Sequence, residues 1–150
     1  MKPILWRAGG MMLALVVLTA ACSKSSSTDT TGSSPGGASG STTMQIGSDT
    51  ANNKGSEDVS SSTSTEVEAD DFYFKPTVLT GKPGQKLEID LSNDSSATTH
   101  NFSIDAQKIS QDLTPGGSAK VTVTFPDSGF VEFYCKFHRG SGMVGELTTG

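Results

Sequence analysis

The amino-acid sequence predicts an all-β protein, an antiparallel sandwich or barrel of short strands that follows a long polar segment. Apolar and polar residues alternate with a period of two, turn-forming residues recur at short intervals, and no stretch has the pattern of a long amphipathic helix. Of the ten aromatic residues, nine lie between Phe72 and Phe137. Because a core needs such side chains, we expect the folded domain to occupy residues 65–150.

Two stretches show the alternation most clearly. Residues 87–91 place Leu, Ile and Leu around Glu and Asp, and residues 121–125 place Val, Val and Phe around two threonines. This alternation is typical of strands with one buried face. Turns rich in Gly, Pro, Asn and Asp separate the apolar runs. Strands are therefore expected near 66–74, 77–80, 86–92, 99–104, 119–125, 130–135 and 143–148.

The first 21 residues have the pattern of an export signal. Lys2 and Arg7 supply positive charge, and the apolar run 8–21 is shorter than the roughly 20 residues that a membrane-spanning helix needs. Residues 18–22 read Leu-Thr-Ala-Ala-Cys, which resembles a bacterial lipoprotein signal. We expect a lipid on Cys22 to anchor the exported chain at the periplasmic or extracellular face of a bacterial membrane. Plain signal cleavage is the alternative.

Residues 22–64 are expected to form a disordered tether. They are rich in Ser, Thr, Gly, Asp and Asn. Such a segment buries too little apolar surface to offset the entropy of ordering. The tether could be a leash that lets the domain search for partners, or a spacer that clears the cell envelope.

Charge and cysteine content exclude two classes of protein. The formal net charge is −5 and no basic stripe is present, so nucleic acid is not an expected partner. The chain has only two cysteines, Cys22 and Cys135, so a disulfide framework is not expected either. A single tethered domain needs no second subunit to complete its fold, and we expect a monomer.

Four side chains form a candidate metal site: His100, Cys135, His138 and Met143. Alternation along the expected strands points three of them, His100, Cys135 and Met143, into the interior. A buried cysteine, histidine or methionine alone is usually ordinary core. Here both histidines of the chain and its only cysteine outside the signal region fall in one arrangement, which favours a metal site.

The chemistry of these ligands selects the metal. Two imidazoles, a thiolate and a weak thioether are the ligand set of a blue-copper centre, in which one ion alternates between Cu(I) and Cu(II). Structural zinc sites use four strong ligands, and methionine is not one of them. A binuclear copper centre would need a second cysteine in the loop, and residues 136–142 contain none.

Residues 133–145 read Phe-Tyr-Cys-x-x-His-x-x-x-x-Met-Val-Gly, which resembles the copper loop of the plastocyanin family of cupredoxins. Residues 99–101, Thr-His-Asn, resemble the upstream ligand strand of that family, and 72–76 its opening strands. The resemblance implies a Greek-key β-sandwich with one type 1 copper ion held by the four residues above.

The resemblance also implies roles for neighbouring residues. Asn101 would tie the two ligand segments together by hydrogen bonds. Electrons would pass through the exposed edge of His138, with Tyr134 offering a second route. The family's paired acidic clusters are missing around Tyr134, whereas Lys136 and Arg139 suggest a docking face that is mildly positive and partly apolar.

The predicted function is single-electron transfer with redox partner proteins of the cell envelope. Copper binding and delivery is the alternative from a different class. A carrier would show reversible reduction with slow copper loss, whereas a delivery protein would pass the ion to an acceptor. A copper enzyme is not expected, because Met143 occupies the coordination position that catalysis needs open.

Overall fold

The computed structural model describes residues 42–150. They form short strands and two single-turn 3-10 helices, at Asp105–Gln107 and Arg139–Ser141. The strands are β1 (Thr43–Ile46), β2 (Asp49–Asn52), β3 (Ser56–Asp58), β4 (Ser64–Asp70), β5 (Tyr73–Lys75), β6 (Val78–Gly81), β7 (Lys86–Asn93), β8 (His100–Ile104), β9 (Ile109–Leu113), β10 (Ser118–Thr124), β11 (Gly129–Tyr134) and β12 (Val144–Thr149).

Two sheets form a sandwich. One has the strand order β10-β7-β4-β5 and the other β3-β6-β12-β11-β8-β9, while β1 and β2 form a separate hairpin. The chain changes sheet six times, between β3 and β4, β5 and β6, β6 and β7, β7 and β8, β9 and β10, and β10 and β11, which confirms the predicted Greek-key sandwich class. The expectation of purely antiparallel pairing is wrong, because β4 pairs with β7, and β6 with both β3 and β12, in parallel.

The core lies between the two sheets. In β7, Leu87, Ile89 and Leu91 are buried, as their alternation predicts. Aromatic rings fill the space near the site: the ring centroids of Phe102 and Phe133 are 5.0 Å apart. Phe74 packs edge-on against both, at 5.8 and 5.2 Å. Interlocked rings of this kind hold the strands that carry the candidate ligands at fixed positions.

The structure departs from the predicted strands at the 66–74 strand and at β9. The single strand expected over 66–74 is broken into β4 and β5 at Asp71 and Phe72, which both have positive φ, 33° and 65°. Strand β9 was not expected at all. It is an edge strand whose three central residues, Ser-Gln-Asp, are all polar, so the sequence shows no apolar alternation there.

The expected boundary between tether and domain at residue 65 is wrong. Strands β1–β3 lie within residues 42–64, and Ile46, Ala51 and Val59 are buried. Few apolar residues suffice here because each contacts a surface formed by the rest of the domain. A local signal was present, since Gly47-Ser48 between two short runs is a typical hairpin turn.

The export signal, the lipidation of Cys22 and the first part of the tether fall outside the described residues, and they stay predictions. Within 42–150, no helix is long and apolar enough to cross a membrane.

The β1–β2 hairpin covers part of the six-stranded sheet. Ile46 and Ala51 form a small buried cluster with Val144 at the start of β12, and Met44 and Tyr134 pack against it. The hairpin therefore lies beside the loop that joins β11 to β12, which carries three of the four candidate ligands.

Candidate metal centre

Three of the four candidate ligands converge at one end of the sandwich. His100 begins β8, Cys135 follows β11, and His138 lies three residues further along the loop. One ligand atom from each residue lies within 4.8 Å of the other two. Cys135 Sγ is 3.5 Å from His138 Nδ1, and the two imidazole centroids are 5.1 Å apart.

Backbone hydrogen bonds bring the fourth candidate, Met143, to the same place. Cys135 N donates to Met143 O at 3.0 Å, and Met143 N donates to His138 O at 3.2 Å. Between His138 and Met143, the chain makes a 3-10 turn at Arg139–Ser141. The turn is followed by Gly142, whose φ of 88° favours glycine. The loop thus closes on itself, and Met143 is fully buried beside Cys135 in the core cluster.

Burial makes His100 a chemically unusual residue. Its side chain is inaccessible to solvent, and neither ring nitrogen has a hydrogen-bond partner within residues 42–150. A buried polar group without a partner costs about 1–3 kcal/mol. Coordination of a metal by one of these nitrogens would remove much of that cost.

The electrostatics favour neutral imidazoles, the form that binds metal. Burial lowers the pKa of His100, and the nearby His138 lowers it further. Burial also lowers the pKa of His138. Both rings are therefore available as neutral donors at pH 7, and two such donors with a buried thiol fit a soft, redox-active ion such as copper.

The Asn101 side chain bonds to the segment that carries Cys135, as the predicted link between the two ligand segments requires. Its side-chain oxygen accepts a bond of 3.4 Å from Lys136 N, directly after Cys135. Its amide nitrogen donates to Asp112 on β9 at 2.7 Å. Ser103 also donates to the same Asn101 oxygen. The side chain connects β8 and β9 to the start of the ligand loop.

Tyr134 points away from the core, as its parity predicts, and its side chain is half-buried. Its hydroxyl donates to Asp105 at 2.7 Å, and this bond raises the pKa of Tyr134. The Arg139 guanidinium lies 4.4 Å from the ring centroid. The role of Tyr134 as a second electron route stays a prediction.

Lys136, Phe137 and Arg139 surround His138 and form the rim of the site. This rim is not the positive surface that the sequence suggests. Lys136 pairs with Asp112 at 2.6 Å, and Arg139 pairs with both Asp49 and Glu132. Glu132 lies close to the loop in sequence, but Asp112 on β9 and Asp49 on β2 are distant, so the sequence around the loop does not reveal these two partners. With its cations paired, the rim presents chiefly Phe137, whose exposed fraction is 51%.

Phe72 was missed as a site residue, because the sequence places it within a regular strand. In the structure it lies in the β4–β5 turn, with its ring centroid 4.6 Å from that of His138 and 6.5 Å from that of His100. Its exposed fraction is 41%. No local pattern signals this contact, which depends on the positive φ of the turn.

Comparison with known proteins agrees with this geometry. The profile of the cupredoxin-like domain matches residues 11–149. Plastocyanin A/B of Petroselinum crispum is 32% identical over 87 residues, covering 51% of this chain and 87% of that protein. Plastocyanin of Daucus carota is 46% identical over 46 residues, covering 30% of this chain and 47% of that protein. The chain spans about half the length of several plastocyanins that it matches.

Solved structures show the same fold. Reduced auracyanin from the photosynthetic bacterium Roseiflexus castenholzii superposes with a TM-score of 0.52 at 25% identity, covering 59% of this chain and 98% of that one. Auracyanin B superposes with a TM-score of 0.50 at 22% identity. The profile covers most of the sequence, the relative from Petroselinum crispum is matched over most of its length, and three candidate ligands converge. The chain belongs to the cupredoxin-like domain family.

Proposed function

We propose that the protein is a mononuclear type 1 blue-copper electron carrier and not an enzyme, with His100, Cys135, His138 and Met143 as its copper ligands. The observation that carries the proposal is the buried His100 ring, which lacks any hydrogen-bond partner in the described chain and lies within 4.8 Å of donor atoms of Cys135 and His138.

The bound copper would supply the one-electron couple between Cu(I) and Cu(II). The protein's part is to keep its donors in place during that change. His100 is held by β8, with strands on both sides, and Cys135 by its backbone bond to Met143. Because these residues are buried in a close-packed core, their positions alter little with the charge of the site.

Electron exchange would occur at His138, the least buried of the ligand residues. Its ring lies between Phe72 and Phe137, at centroid distances of 4.6 and 6.2 Å. Both aromatic rings are substantially exposed. Because Lys136 and Arg139 are ion-paired, the docking face combines compensated charges with exposed aromatic rings, which suits brief encounters with redox partner proteins.

The proposed location follows from the N-terminal sequence. Lipidated at Cys22, the exported monomer would stay at a bacterial membrane surface and meet redox partners of the envelope there. Mass spectrometry of the membrane fraction tests this directly. Loss of residues 1–21 with an added lipid mass is expected, and an unmodified Cys22 contradicts it.

Copper titration tests the function. The full-length protein should bind one equivalent of Cu(II), develop intense blue absorption, and undergo reversible one-electron reduction. Cys135→Ser should lose the blue absorption but keep its β-sheet circular dichroism, because the substitution is close in size. A colourless wild-type complex would contradict thiolate ligation. Rapid passage of copper to an acceptor protein would favour delivery over electron transfer.

A further inference from the structure

One side chain of the β1–β2 hairpin touches both segments that surround His138. Asn52 Nδ2 donates to Ser141 O at 2.8 Å, in the ligand loop, and to Phe72 O at 3.0 Å, in the β4–β5 turn. An amide nitrogen has two hydrogens, so both are used. Each bond ends on a backbone carbonyl, which fixes the path of the chain and not merely a side chain.

The backbone of Asn52 is fixed as well. Its N–H donates to Gly142 O at 2.9 Å, and its carbonyl accepts from Thr77 Oγ1 at 3.1 Å. Gly142 lies so close that an added Cβ would be 2.9 Å from Asn52 Nδ2. Asn52 and the end of the ligand loop are therefore packed together without spare room.

A second polar contact joins the hairpin to the same loop. Asp49 Oδ2 accepts bonds from Arg139 Nε at 3.1 Å and from Arg139 Nη2 at 2.8 Å. Arg139 directly follows His138, and Ser141 and Gly142 directly precede Met143. The hairpin thus contacts the loop next to His138 and next to Met143, two of the three candidate ligands that lie outside the regular strands.

We infer that Asn52 is a positioning residue for the metal centre, and that the β1–β2 hairpin braces the ligand loop and the Phe72 turn against each other. That the positioned residues are copper ligands rests on the proposed function. That the hairpin braces the loop rests on the hydrogen bonds described above. The side-chain bonds of Asn52 should keep His138 and Met143 in place and slow the release of copper.

The test compares three variants of the full-length protein. Asn52→Ala removes both side-chain donors, and Asn52→Asp keeps the size of the side chain but removes its N–H groups. Gln45→Ala is the matched control, because Gln45 donates to Thr50 within the hairpin. For each protein we would measure copper release to an excess chelator, the reduction potential, and the paramagnetic spectrum of the Cu(II) form.

A further readout needs no metal. In the metal-free protein, amide hydrogen exchange at Ser141, Gly142 and Met143 reports the opening of the loop, since each of these N–H groups is bonded within it. Exchange at Val121, in the middle of β10, serves as the internal reference.

In Asn52→Ala and Asn52→Asp, copper release and loop exchange should rise about tenfold, the scale expected for two lost hydrogen bonds. The potential and the paramagnetic spectrum should change with them, while Gln45→Ala and the exchange at Val121 should match the wild type. Wild-type behaviour of Asn52→Asp would overturn the donor role. Loop exchange unchanged in both Asn52 variants would overturn the brace, whereas a wild type that binds no copper would reject only the proposed function.

Discussion

Individual side chains at the metal end are confined by their surroundings, and this determines what can replace them. Met143 is fully buried and lies in the core cluster, so it is both a candidate ligand and a packing residue. A substitution there must be judged by two measurements, one for the metal and one for the fold.

Met143→Leu should retain copper and raise the reduction potential, because a weak donor to Cu(II) is lost. The side-chain volume is nearly conserved, so the free energy of unfolding should fall by less than about 1.5 kcal/mol. Voltammetry and urea unfolding check the two parts. A potential equal to that of the wild type would show that the thioether is not a ligand.

Gly145 is constrained by its neighbours and not by its own backbone. A Cβ added there would overlap the Phe133 ring and lie 2.6 Å from Thr77 O. Gly145→Ala should therefore lower the free energy of unfolding by about 1–3 kcal/mol, the usual effect of overpacking. Gly140→Ala is the control, since nothing lies within 4 Å of its added Cβ. Equal urea midpoints for the two variants would contradict the prediction.

At the scale of strands, β11 and β12 place two acidic residues opposite each other. Glu132 and Glu146 are register partners, and like charges in that position oppose pairing. Glu132 is compensated by Arg139, but Glu146 is half-buried without an ion-pair partner among residues 42–150. Burial raises the pKa of Glu146 above its ordinary value of 4.5.

The sign of the resulting pH dependence follows from proton binding. Above pH 4.5 the unfolded chain releases the Glu146 proton more readily than the folded protein does, so stability declines as pH rises through the folded-state pKa. Glu146→Gln should therefore stabilise the metal-free protein at pH 7, by about 0.5 kcal/mol. The gain should shrink at pH 4.

Urea unfolding at both pH values measures this gain. Glu57→Gln is the control, because Glu57 is exposed on β3 and its register partner is the apolar Leu79. An equal gain in both variants would show that the effect comes from net charge and not from the position of Glu146.

Some strands can be predicted from the sequence and others cannot, and the difference depends on which residues each strand contacts. Alternation in β7 is visible because its buried residues face a core that both sheets share, whereas β9 lies at an edge and its three central residues are all polar. The polar composition of residues 22–64 predicts a tether, whereas the contacts that fix the hairpin are distant in sequence. Asn52 bonds to residues 20 and 89 positions away, and no local pattern encodes them.

The candidate site, like the strands, can be predicted from the sequence only in part. The metal ligands could be proposed from sequence because copper chemistry restricts them to a few residue types at a recognisable spacing. Phe72 and Asn52 are ordinary residue types whose significance comes only from what they touch. The ion pairs of Lys136 and Arg139 likewise depend on Asp112 and Asp49, which are distant in sequence, and they compensate the positive charge that the sequence suggests for the rim.

At the scale of the whole molecule, the domain needs its N-terminal strands. β3 forms the edge of the six-stranded sheet, and Val59 is fully buried in the core. Gln85 Nε2 donates to Val59 O and to Ser62 O, so these bonds also depend on the segment before residue 65.

A fragment spanning residues 42–150 should fold cooperatively, whereas one spanning 65–150 should lose at least about 2 kcal/mol of stability. That is the contribution of burying a single side chain of the size of Val59. Urea unfolding followed by circular dichroism measures both fragments. Equal stability would show that β1–β3 are dispensable for the fold.

The position of the β1–β2 hairpin also determines what proteolytic shedding would release. In the proposed lipid-anchored protein, the hairpin follows Cys22 and precedes the rest of the sandwich along the chain. A protease acting before Thr42 would liberate a soluble carrier with its redox centre intact. Cleavage between Asn52 and β3 would leave the hairpin behind with the membrane, so the liberated domain would carry copper in an unsupported loop.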